Sequence, residues 1–102
     1  MLIKPPISEN SVVSFKLVTG ETLIAKFIRR TPELLIITRP VVANTVPTDQ
    51  GYGIAYSPFC ATVEEDQEFR IPSSAMLVEP MYPRDELKAS YIKMTTGLDL
   101  PA

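Results

Sequence analysis

Lys26, Arg29 and Arg30 place three cations within five residues, immediately before Thr31-Pro32. The Thr-Pro step reads as a turn, since a residue before proline is pushed away from helix and proline suits the first corner. Cations at a hairpin end attract phosphate, and a guanidinium also stacks on a nucleobase. The plainer reading is a charged hairpin tip that keeps the chain soluble. Tyr52, Tyr56 and Phe59 are a second candidate group, because aromatics beside cations form a stacking platform for single strands. Tyr52, Ile54 and Tyr56 share one face of a strand, however, so core or interface packing is the simpler account. Glu64, Glu65, Asp66 and Glu68 crowd one short segment, which reads as a solvated turn rather than a pair of catalytic carboxylates.

The composition narrows the chemistry. Histidine is absent, which removes the commonest general acid/base and the commonest metal ligand. Cys60 is the one cysteine, so no internal disulfide forms and a structural zinc site has no ligand set. With no phosphate-cradling glycine motif either, the expectation is a protein without catalysis and without a cofactor. The net charge of −2 is unevenly spread: residues 1–51 sum to +2 and residues 52–102 to −4. A global basic footprint for nucleic acid is therefore missing, and binding to phosphate must come from a local patch. No apolar run approaches a membrane span. Met1-Leu2-Ile3-Lys4 leads straight into Pro5-Pro6 without the pattern of a signal peptide. The expected location is the reducing cytoplasm.

The elements that must position these residues read as follows. Val13, Phe15 and Leu17 alternate with Ser14, Lys16 and Val18, the period of a half-buried strand. Gly20 supplies the positive φ that the following hairpin demands. A second strand from Thr22 sets Leu23, Ala25 and Phe27 on one face and Ile24, Lys26 and Ile28 on the other. Apolar residues on both faces imply that something covers the second face as well. Leu34 to Ile37 is a short apolar strand, and it continues through Val41 to Val46. A turn at Thr48-Asp49-Gln50-Gly51 then leads into a strand from Tyr52 to Tyr56 or beyond. Pro40, Pro47 and Pro58 cannot donate to a ladder and belong at edges, ends or bulges. Glu68 to Ile71 resumes strand character, Pro72-Ser73-Ser74 is a tight corner, and Ala75 to Glu79 is a last strand ended by Pro80. From Pro83 the period becomes helical, with Asp85 and Glu86 near the start, Leu87, Tyr91 and Met94 or Ile92 on one face, and Gly97 as the cap.

Leu17-Val18-Thr19-Gly20, then Leu23-Ile24-Ala25, then Phe27, with Leu34 to Ile37 as the next strand, resemble the first signature of the Sm-like (LSm) family. Within it the chain is most similar to the divergent Sm-like proteins encoded by tailed phages. The resemblance covers the first third well and the rest loosely. It implies an all-β fold: a small, strongly bent, five-stranded antiparallel SH3-like barrel, here with an elongated hairpin and a C-terminal helix. One domain fills residues 1–102: an extended arm over 1–10, the barrel over 11–80 and the helix over 83–97. The family's usual opening helix is missing or delayed to one turn after Ser8, and Ile3 and Ile7 are placed to cover the open barrel end.

The resemblance also implies a function. In the family, the loop between strands two and three faces a central pore and reads an RNA base with an Asp and an Asn. Here it reads Arg29-Arg30-Thr31-Pro32-Glu33. The second family signature, strand, Arg-Gly, strand, is met by Ile71, Pro72-Ser73 and Ala75 to Val78, so the corner is kept and the Arg-Gly pair is not. The candidate RNA-binding residues are therefore Lys26, Arg29, Arg30, Arg70 and Ser73. In the family, the fourth strand of one subunit pairs with the fifth of the next and closes a ring, and short apolar edge strands invite such pairing. The candidate interface residues are Tyr52, Ile54, Tyr56, Phe59, Met76 and Val78. The expected assembly is a closed homo-oligomeric ring, pentamer to heptamer, that binds single-stranded RNA as a chaperone or regulator. The alternative is a structural or protein-interaction ring that has lost RNA binding.

Overall fold

The structure, a computed structural model, describes residues 7–96. The strands are β1 (Val12–Leu17), β2 (Thr22–Arg30), β3 (Leu34–Thr48), β4 (Gly51–Pro58), β5 (Glu68–Pro72) and β6 (Met76–Met81). A 3₁₀ turn at Ser73–Ala75 joins β5 to β6, and one helix, α1 (Asp85–Thr96), follows. All described pairings are antiparallel, in the order β4-β3-β2-β1-β6, with β5 also on β3.

There are six strands rather than the five that the resemblance implies. Both β4 and β5 pair with β3 along the same border, β4 over Val41 to Thr48 and β5 over Leu34 to Thr38. Residues 59–67 loop out between them. The sheet is open among the described residues: β4 and β5 form one border, β6 forms the other, and no ladder joins the two.

Two bulges decide which side chains face which way. Ile24 pairs with Val41 and Lys26 with Thr38, so β3 carries one extra residue there. It lies at Arg39-Pro40, where Arg39 adopts φ 52°, a left-handed conformation that non-glycine residues seldom take. A one-residue slip swaps the faces of a strand. Before the bulge, Leu35 and Ile37 enter the main core with Val13, Phe15, Leu23 and Phe27. After it, Val41 and Ala43 turn to the opposite face and meet Val12, Ile24 and Tyr91. The second bulge is in β2, where Phe27 pairs with Ile37 but Arg29 with Ile36, leaving Ile28 extra.

The cover that the two-faced β2 requires is α1. Tyr91 is fully buried against Ile24, with Leu87 and Met94 beside it. Met94, not Ile92, packs on the cluster under the helix, and Ile92 is 39% exposed. Each fully buried large side chain contributes about 1.5–3 kcal/mol, and the β2 residues Leu23 and Ile24 supply such burial to both layers. Gly20 takes φ 103° in the β1–β2 turn and Gly51 takes φ 121° at the β3–β4 turn, as their places in the sequence require.

Three other expectations are revised or bounded. Arg29 and Arg30 lie within β2 and not in the turn, which closes at Thr31 to Leu34 through the Thr31 N–H to the Leu34 carbonyl (2.8 Å). Pro80 does not end the last strand. It sits where β6 carries one extra residue against β1, between Val78 opposite Lys16 and Met81 opposite Ser14, a place where a missing donor is tolerated. The chain after Ser8 makes a single turn, with the Ser11 N–H donating to the Ser8 carbonyl (3.1 Å), and Ile7 packs on the main core. Ile3 and Gly97 lie outside the described residues.

Tyr91 also ties the helix to the bulge, its hydroxyl donating to the Arg39 carbonyl at 2.6 Å. Burial pushes the Tyr91 hydroxyl above the ordinary phenol value, with Arg39 opposing and Glu65 reinforcing the rise. The fold therefore favours the neutral phenol. Its contribution is complete below the unfolded value of about 10 and is lost as pH rises through the folded value. Tyr91→Phe should cost about 1–3 kcal/mol at neutral pH in urea unfolding, since the Arg39 carbonyl loses its partner. That deficit should narrow in the same measurement repeated above the ordinary phenol pKa.

Candidate nucleic-acid and assembly surfaces

The β2 bulge separates the candidate cations into two sets. Arg30 pairs with Leu35 in register and sits on the core side, while Arg29 pairs with Ile36 on the outer side. Had β2 run straight, Arg29 and not Arg30 would have shared the face of Leu23, Ala25 and Phe27.

The first set is Arg30, Ser73 and Glu79. Arg30 Nη1 lies 2.8 Å from Glu79 Oε1, and Arg30 Nη2 donates to Ser73 Oγ at 3.4 Å. Ser73 Oγ in turn donates to the Pro32 carbonyl at 2.9 Å, and the Ser73 N–H donates to the Glu33 carbonyl at 2.8 Å. These bonds clamp the β5–β6 corner against the β2–β3 turn. Arg30 is thus engaged by a carboxylate and a hydroxyl, and its charge is already answered. A groove of about 490 Å³ runs beside it, lined by Ile7, Phe27, Arg29 and Pro80 among others.

The second set is Lys26, Arg29 and Arg70. Thr38 is flanked in register by Lys26 on β2 and Glu68 on β5, and Ile36 by Arg29 and Arg70. Leu35, Ile37, Phe69 and Ile71 face the main core, so these flanking residues occupy the opposite face. Arg29 and Arg70 are exposed. Among the described residues, Lys26, Arg29 and Arg70 make no ion pair. The structure therefore brings Arg29 and Arg70, far apart in sequence, to either side of one buried isoleucine.

The candidate interface residues also divide. Met76 is buried in the main core, and Phe59 packs on it with its ring edge toward Phe69 at 6.3 Å. Tyr56 packs beside α1. Tyr52 is 79% exposed, and Ile54 and Val78 are partly exposed. Three residues that the sequence reading passed over, Leu77, Met81 and Tyr82, add further exposed apolar surface on and just after β6. Their signal was available as apolar residues on a short strand near an edge.

The acidic segment is tied to the bulge. The Arg39 N–H donates to the Glu65 carbonyl (2.8 Å), and Arg39 Nη1 lies 3.1 Å from Glu65 Oε1. Glu64, Glu65, Asp66 and Glu68 are exposed, and among the described residues no group of acidic side chains and Cys60 is placed to hold a metal ion. No described helix is long and apolar enough to cross a membrane. No family model matches the chain, and no curated protein matches it.

Ser73→Ala should loosen the corner clamp by about 0.5–1.5 kcal/mol in urea unfolding. Glu79→Gln should cost less than about 1 kcal/mol, because that carboxylate is well exposed and surface pairs are weak.

Proposed function

We propose that this chain is an Sm-like subunit that assembles edge to edge into a closed ring and offers single-stranded RNA a basic row built from Lys26, Arg29 and Arg70. The observation that carries the reading is the pair of open borders: β4 and β5 on one side of the sheet, β6 on the other. Leu77, Val78 and Met81 are 64%, 40% and 55% exposed on β6, a border that a lone chain leaves open to water and to other strands. Taken as one interrupted strand, β4 and β5 reduce the count to the five strands of an SH3-like barrel, which supports the Sm-like reading. A ring repeats each cation around its axis, so a local patch acquires a strong collective field despite the net charge of −2.

A second reading, a ring that binds protein rather than RNA, is favoured by the ion pair that holds Arg30 and by the acidic balance of the second half. One experiment separates them: native mass spectrometry with and without short oligo(U) and oligo(A), followed by titration across a salt series. The RNA reading expects saturable binding to an intact ring. Arg29→Glu with Arg70→Glu should lower affinity by about tenfold or more and flatten the salt slope by about 0.7 per lost phosphate contact, leaving ring mass unchanged. An intact ring with no saturable binding to either oligonucleotide selects the second reading. A monomer at all concentrations removes both.

A further inference from the structure

Residues 59–67 interrupt the border formed by β4 and β5, and residues 59–65 of this segment wall a cavity of about 670 Å³. Phe59, Val63, Phe69 and Met94 are among its apolar lining residues, and its charged lining residues are Glu64 and Glu65. Glu65 is answered by Arg39, whereas Glu64 makes no ion pair among the described residues. An apolar socket with one unanswered carboxylate suits an occupant that is apolar and carries a cation.

The chain itself contains such a segment at the opposite border. Met81 is 55% and Tyr82 61% exposed. The Arg84 side chain is 82% exposed, and its ion pair with Glu86 spans 3.9 Å. Strand direction then decides where this segment goes. If β6 of one copy lies antiparallel on β5 of the next, Met76 runs beside Pro72 and Met81 beside Glu68. The two strands are well matched, with six and five residues. The chain after Met81 must then reach residues 59–67, which precede Glu68. A parallel pairing would bring Ser73 to Ala75 there instead.

We infer that the socket between β4 and β5 receives Tyr82 and Arg84 of an adjacent copy of this chain, Tyr82 entering the apolar part and Arg84 meeting Glu64. The inference rests on the edge-to-edge assembly proposed above and names the contact that fixes its register.

Cys60 lines the socket and is the one cysteine, which makes the test direct. The unaltered chain is mixed with a chain carrying Cys60→Ser and Tyr82→Cys, and the mixture is treated with diamide, which takes up the two electrons and two protons released by the thiols. Neither chain can form an internal disulfide. The expected product is a disulfide-linked heterodimer, in about tenfold excess over a control with Cys60→Ser and Val18→Cys, because the bond requires Cα atoms within about 7 Å. Glu64→Arg should weaken assembly about tenfold by native mass spectrometry, and adding Arg84→Glu to the same chain should restore it. A ring that forms without the cross-link, or without rescue, overturns the socket and leaves the ring standing. Monomers at every concentration overturn both.

Discussion

Arg39 is the residue on which the layout of this protein turns. It is the extra residue that lets β3 change faces, so the same strand serves the main core before it and the α1 layer after it. Its backbone N–H and its guanidinium both hold Glu65 in the looped-out segment, and its carbonyl accepts the Tyr91 hydroxyl from α1. A left-handed backbone at a non-glycine residue costs roughly 1–2 kcal/mol. Here it is offset by bonds to two separate parts of the chain. Without the bulge, Val41 would point into the main core and α1 would lose part of its seat.

One of the two open borders is shaped by the looped-out segment that Arg39 holds. Looping out residues 59–67 divides one border into two short strands and leaves a cavity between them. β6 ends the sheet on the far side with most of its residues exposed. The outer part of the β3–β4 ribbon, residues 44–55, is mostly exposed, with Tyr52 and Ile54 on one face. A two-stranded ribbon is marginal in water on its own. Exposed apolar edges, an uncovered ribbon and a small core are the features on which the proposed association with copies of the chain rests.

Much of this was legible in the sequence. Alternation in residues 12–18 and the two apolar faces of β2 announced both the strand and its second cover, and Gly20 and Gly51 marked their turns. The helix could be read from the spacing of Leu87, Tyr91 and Met94, although only the packing chose Met94 over Ile92. What could not be read was phase. A bulge leaves no periodic signal, only a hint such as Pro40 in an otherwise continuous strand. As a result the sequence grouped Arg29 with Arg30, whereas the fold sends one outward beside Ile36 and the other to Glu79 and Ser73. The pairing of Arg29 with Arg70 across Ile36 likewise depends on register between distant strands, which composition does not encode.

The proposed assembly requires sheet borders that are open in one chain and covered between copies. Amide hydrogen exchange measured over a concentration series reads this directly. The amides of β5 and β6 not engaged by β3 or β1 should exchange freely at high dilution and become protected together as concentration rises, while β2 stays protected throughout. Border amides that remain exposed at every concentration, or that are already protected in an isolated monomer, would contradict it.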